Sequence, residues 1–261
     1  MHSLQEKSDS FIGFIKVLDT LREKCPWDAK QTNESLRPNT IEEVYELSDA
    51  LLKDDTTNIK KELGDVLLHI AFYAKIAEEK NLFDISDVCK SLTDKLIFRH
   101  PHIYGNVEAD SPEQVSQNWE QIKLKEKGGN KTVLAGVPTS LPSLIKAARI
   151  QEKAANIGFD WEERHQVWEK VKEEINEVEN EISKNNHRNM EEEFGDLLFA
   201  IVNAARLYGV NPDTALERTN QKFIQRFTHI EEMALKEGRN IRDLSLEEME
   251  NYWQDAKKQS H

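Results

Sequence analysis

The chain of 261 residues has only two cysteines, Cys25 and Cys89, so it lacks the dense disulfide framework of a small secreted scaffold. No secretory leader is apparent ahead of them, and the expectation is a reduced, cytoplasmic protein. Ten Gly and seven Pro are too few for a turn-rich all-β protein. Long apolar runs are missing too. The longest, around Val66–Ala74 and Leu197–Ala205, fall well short of the roughly 18 residues that a membrane helix needs. Cations are also in deficit. Lys and Arg number 35 against 48 Asp and Glu, a formal charge of −13 that argues against nucleic acid and against anionic membranes as partners.

What is present is helical periodicity. Phe11, Ile15, Leu18 and Leu21 recur at spacings of three and four, as do Val44, Leu47 and Leu51. The same period returns at Val171, Ile175, Val178 and Ile182, and through Leu197–Leu207. Period-two alternation of β-branched residues is nowhere sustained. The expected class is all-α. Breakers fall at Pro26, Pro38 and Pro101 and are densest in the stretch GGNKTVLAGVPTSLP, residues 128–142. That stretch is read as a linker between helical domains at 1–127 and 143–261.

The two halves repeat each other. Glu42-Glu43-Val44-Tyr45-Glu46 is followed after 15 residues by Glu62-Leu63-Gly64-Asp65. Glu173-Glu174-Ile175-Asn176-Glu177 is followed after 15 residues by Glu193-Phe194-Gly195-Asp196, every position displaced by 131. Lys95 and Arg99 correspond to Lys222 and Arg226 at a displacement of 127, and Trp119 to Trp253 at 134. Three blocks in one order mark two copies of one helical module.

Residues three apart on a helix lie roughly 60° apart around its axis, so Glu174 and Glu177 share a face, as do Glu193 and Asp196. A 15-residue gap lets the chain turn and return antiparallel, which brings four carboxylates between two helices. Apposed carboxylates repel and are costly to desolvate unless a cation joins them. An all-oxygen set suits Mg²⁺, or Mn²⁺, rather than Zn²⁺. The equivalent set in the first module is Glu43, Glu46, Glu62 and Asp65. In a chain that is 32% charged, each acidic motif alone reads as a solvated helix face. The duplication and the mid-helix Gly64 and Gly195, which suggest close helix approach, favour a site.

Mg²⁺ commonly shares its shell with substrate phosphates, and Lys222 and Arg226, four apart on a helix, are placed to grip phosphate oxygens. Asn220 is adjacent. Trp253 either stacks on a base or closes the core. Glu162 and His165 have a di-iron-like spacing but lack the second copy that such a site requires.

The ordered set resembles the MazG family of nucleoside triphosphate pyrophosphohydrolases in its tandem-domain form. The likeness includes Cys25-Pro26-Trp27-Asp28 with Gln31-Thr32, Arg99-His100-Pro101-His102, Asn156-Ile157-Gly158-Phe159-Asp160-Trp161 and the segment Asn220–Phe227. It implies an all-α fold, Mg²⁺-dependent hydrolysis of NTPs to NMP and pyrophosphate, and metal ligands at the eight carboxylates above. It also implies nucleotide contacts at Lys170, Asn189 to Glu192, Lys222, Arg226 and Trp253, with Lys95, Arg99 and Trp119 as first-module counterparts. The runs Glu173-Glu174 and Glu191-Glu192-Glu193 leave the register open, so Glu173 and Glu192 are alternates. The first module has Thr93 where the second has Asn220, and Leu96 where it has Phe223. Catalysis is therefore expected in the second module. The rival readings are a dUTPase-like or phosphoribosyl-ATP-type hydrolase, or a non-enzymatic binding protein. A short module with a duplicated apolar face needs a partner module, supplied by the other half or by a second chain, and a homodimer is expected.

Overall fold

The computed structural model describes residues 1–107 and 132–259, with residues 111, 114, 115, 118 and 122 between them. Trp119, Lys123 and the start of the expected linker at 128–131 lie outside the described residues. Among the described residues there are helices, short 3₁₀ turns and no strand, the all-α class expected from the periodicity. None of these helices is long and apolar enough to cross a membrane. The chain forms two compact units, Met1–Glu108 and Ala109–His261.

The first unit contains α1 (Leu4–Lys24), α2 (Asn33–Leu52), α3 (Thr56–Glu79), α4 (Ile85–Arg99) and the single turn α5 (Pro101–Tyr104). Its helix starts are written in the sequence. Ser3 and Glu6 form a capping box on α1, and Asp55 accepts from the amides of Thr57 and Asn58 at the start of α3. The turn between α2 and α3 needs one left-handed residue, supplied by Asp54 at φ 53°. Leu18, Leu36, Ala71, Phe72 and Ile76 then bury together from α1, α2 and α3. Arg22 clips the end of α3 to α1 through paired bonds of 2.8 and 2.6 Å to Glu79.

The second unit contains α6 (Ser143–Ala155), α7 (Gln166–Lys184), α8 (His187–Leu207), α9 (Pro212–Lys236) and α10 (Leu246–Gln259). Asn185 makes the left-handed turn between α7 and α8 at φ 52°, and Asn186 caps α8. Val167 and Val171 of α7 pack on Ala200 and Ala204 of α8. A second cluster joins Ile230 and Ala234 of α9 to Leu244, with Met249, Tyr252 and Trp253 of α10 against it.

Two expectations are corrected. Pro38 does not break a helix; it lies inside α2. It is the sixth residue of that helix, so the only bond forfeited is the one its missing N–H would make to Glu34. Among the described residues of each unit, Gly64 and Gly195 do not mark a close approach of helices. A Cβ built at either would meet nothing within 4 Å.

Candidate metal and nucleotide sites

In the second unit α7 and α8 run as the antiparallel hairpin that the 15-residue gap demands, and they bring three of the acidic residues together, one of them buried. Oxygens of Glu174, Glu177 and Glu193 lie within 4.8 Å of one another. Glu174 is only 4% exposed. One of its oxygens accepts from Lys170 Nζ at 2.6 Å, and the other, Oε2, is buried with no hydrogen-bond donor. Lys170 also bonds Glu173 at 2.8 Å, and these two carboxylates hold its ammonium above the usual lysine range. The contact with Glu174 raises the Glu177 carboxyl above its ordinary value, and burial and Glu193 add to this. Asp196, one turn beyond Glu193, is exposed and stands outside the three-carboxylate set.

The first unit repeats the arrangement with a different member buried. Glu43 of α2 and Glu62 and Asp65 of α3 lie within 4.8 Å of one another. Here the buried acid comes from the second helix: Glu62 is 4% exposed, and its Oε2 has no donor. Burial, followed by the charges of Asp65, Glu46 and Glu62, pushes the Glu43 carboxyl up. Glu46 lies outside the set, 4.0 Å from Lys61 Nζ.

Both clusters fit a divalent cation. Each offers hard oxygen donors from two helices, and each contains a buried carboxylate oxygen without a donor, which costs free energy unless a cation meets it. The raised carboxyls show the same repulsion from the protonation side.

The expected phosphate-binding pair is on a different helix. Lys222 and Arg226 lie on α9, Lys222 exposed and Arg226 half-buried. The Arg226 guanidinium stands 5.5 Å over the Trp253 ring, and its Nε is buried without a partner. Phe223 meets the same indole at 5.1 Å with the planes tilted by 59°. Trp253 therefore packs in the α9–α10 core and positions Arg226. Asn220 donates to Glu217 at 3.2 Å. Asn189 is bound at the α8 cap, and Glu192 faces Arg188 at 3.8 Å. In the first unit Lys95 is exposed and Arg99 half-buried on α4.

Sequence reasoning passed over two polar groups. Lys61 lies against Glu62 at 2.9 Å and Asp65 at 3.7 Å. Its signal was present in the repeat, because the residue 131 positions later is Glu192. The other is a half-buried triad around the buried His69. The Thr40 hydroxyl lies 2.9 Å from His69 Nδ1 and 2.5 Å from the Tyr73 hydroxyl. The second-module positions are Val171, Ala200 and Ala204.

Comparison with known proteins agrees with this geometry. The MazG nucleotide pyrophosphohydrolase domain matches twice, over residues 31–104 and 162–231. The chain is 43% identical over 257 residues to the nucleoside triphosphate pyrophosphohydrolase/pyrophosphatase MazG of Thermotoga maritima, covering 97% of this chain and 98% of that one. It is 40% identical over 252 residues to the nucleoside triphosphate pyrophosphohydrolase of Escherichia coli K12, covering 94% and 96%. A 46% likeness to the uncharacterized protein YabN of Bacillus subtilis covers 95% of this chain and 51% of that one. Two domain matches in register with two acidic hairpins lead to one conclusion: the chain belongs to the MazG family of nucleotide pyrophosphohydrolases.

Proposed function

We propose that the second module hydrolyses nucleoside triphosphates to the monophosphate and pyrophosphate with Mg²⁺, held by Glu174, Glu177 and Glu193 with Asp196 completing the set. The observation that carries this is the buried, donor-free Glu174 oxygen within 4.8 Å of two further carboxylates. Bound there, Mg²⁺ supplies Lewis-acid charge that polarises the phosphate and acidifies water. The chain's own groups do the rest. A glutamate of the cluster orients the water toward the α-phosphorus. Glu177 stands beside Glu174 and Glu193 and shares with them the task of orienting that water. Lys170 fixes Glu174 in place. Lys222 and Arg226 offset charge on the departing pyrophosphate. Asn189, Glu192 and Asn220 complete the nucleotide contacts, Trp253 holds Arg226 in position, and Glu173 is held off by Lys170.

Each module leaves one apolar face exposed at equivalent positions. Leu63, Leu67 and Ile70 on α3 match Phe194, Leu198 and Ile201 on α8. Stripes of this spacing need a covering surface, and a second copy of the chain is the proposed cover. Two unpaired thiols, Cys25 and Cys89, support a cytoplasmic setting.

The test is an Mg²⁺-dependent assay over common and non-standard triphosphates that resolves pyrophosphate from orthophosphate. Pyrophosphate and monophosphate are expected; orthophosphate and diphosphate would overturn attack at the α-phosphorus. Glu177→Ala should abolish turnover while Glu46→Ala retains most of it. The reverse result would move the activity to the first module.

A further inference from the structure

The two acidic clusters are not equally open to a metal. In the first module Lys61 Nζ lies 2.9 Å from Glu62, 3.7 Å from Asp65 and 4.0 Å from Glu46. It thus engages three of the four candidate ligands and bridges both helices, Glu46 on α2 and the other two on α3. The second module has Glu192 at the equivalent position, an exposed acid facing Arg188 at 3.8 Å. The second module's own lysine, Lys170, comes from the first helix of its hairpin, where the first module has Asn39. Lys170 bonds Glu173 and Glu174, both on its own helix. It touches one of the four candidate ligands, whereas Lys61 touches three.

An ammonium held among carboxylates does part of what a divalent cation does there: it offsets their mutual repulsion. A metal entering the first cluster must displace it from three partners, and the displaced charge stays close by on its tether. The Lys61 side chain is 60% exposed, so it is free to swing outward. The buried Glu62 oxygen Oε2 that Lys61 leaves without a donor keeps the cluster capable of taking metal.

We propose that Lys61 is a tethered counter-ion seated in the metal cradle of the first module, so that this module binds divalent cations more weakly than the second and fills only at higher free Mg²⁺. The two modules then respond to different ranges of Mg²⁺ within one chain. This rests on reading the acidic clusters as metal sites, and the experiment separates the two ideas.

The full chain is titrated with Mn²⁺ near neutral pH, and free Mn²⁺ is followed by electron paramagnetic resonance. Wild type should show a tight and a weak class of site, about tenfold or more apart. Glu177→Gln should remove the tight class and Glu62→Gln the weak one. Lys61→Ala should tighten the weak class by about tenfold and leave the tight class alone, and Lys61→Glu, which restores the second-module residue, should tighten it further. Lys61→Arg, which keeps the charge, should stay close to wild type. Melting curves for each variant establish that it is folded. If Lys61→Ala superimposes on wild type while Glu177→Gln still deletes a class, the counter-ion role is overturned and the metal reading stands. If wild type shows no saturable Mn²⁺ binding, the metal reading falls and the inference falls with it.

Discussion

Glu43 and Glu177 make the metal-free protein sensitive to pH in a direction that can be worked out. Both carboxyls titrate above their ordinary value in the folded chain. The folded state therefore binds protons more tightly than the unfolded state, and stability falls as pH rises from the ordinary glutamate value through the raised one. Glu248 is the opposite case: Arg239 and Ser245 hold it down to about 2. Its contribution is complete above the ordinary glutamate value and is lost only as pH falls toward about 2, so it acts over the acid range alone. Added Mg²⁺ should raise the melting temperature more at about pH 7.5 than at a pH near the ordinary glutamate value, where protonation relieves the repulsion. Differential scanning fluorimetry with chelator or Mg²⁺ measures this. The gap should shrink in the Glu43→Gln/Glu177→Gln double variant, and an equal Mg²⁺ effect at both pH values would refute the assignment. The triad around the buried His69 of the first module gives a second residue-scale prediction. Burial pushes the His69 imidazole below its ordinary value, and Thr40 is its hydrogen-bond partner. Thr40→Val leaves the Nδ1 atom unpartnered and should cost about 1–3 kcal/mol in urea unfolding. His69→Ala added to it should cost less than the sum of the two changes.

At the scale of the element, the packing of α1 on α3 depends on Leu18 and Phe72, exposed by 2% and 3%. Phe72 also lies 5.5 Å beneath the Arg22 guanidinium that ties α1 to α3. Leu18→Ala or Phe72→Ala should each cost about 2–5 kcal/mol in urea unfolding, through lost burial and a residual cavity. A loss below about 1 kcal/mol would show that the site collapses around the deletion. The helical hairpins were legible in the sequence because their apolar spacing has one period and their turns use Asp and Asn, residues that tolerate left-handed backbone. The acidic clusters were legible because the duplication displaced every carboxylate equally. Pro38 was misread because a proline inside a helix forfeits one backbone bond and crowds the carbonyl four residues back, and the rest of α2 carries that cost. Which acid is buried was not legible. Glu62 and Glu174 occupy different positions of the repeat, and their burial is set by packing in three dimensions. Lys61 was passed over because it is not repeated: the second module has Glu192 at that position, and the comparison of the halves picked out only matching residues.

At the scale of the whole molecule, two descendants of one module have kept the same face bare. Leu198, 60% exposed, has its first-module equivalent in Leu67, which is also exposed. Gly195 lies one turn before Leu198 on α8, with open space where its side chain would be. No described neighbour within its own unit requires a glycine there, and a mid-helix glycine costs about 1 kcal/mol relative to alanine. The proposed homodimer supplies a reason: the partner's backbone approaches beside the stripe. Two outcomes follow from it. Leu198→Lys should reduce the mass seen in size-exclusion light scattering from that of a dimer to the 30.2 kDa of one chain. Gly195→Ala should then act with opposite signs in two backgrounds. In the dimer it crowds the interface and lowers the melting temperature. In the Leu198→Lys monomer it meets only solvent, and the gain in helix propensity raises stability by up to about 1 kcal/mol. A stabilising effect in both backgrounds would show that no second chain reaches Gly195, and a different face would then have to carry the assembly.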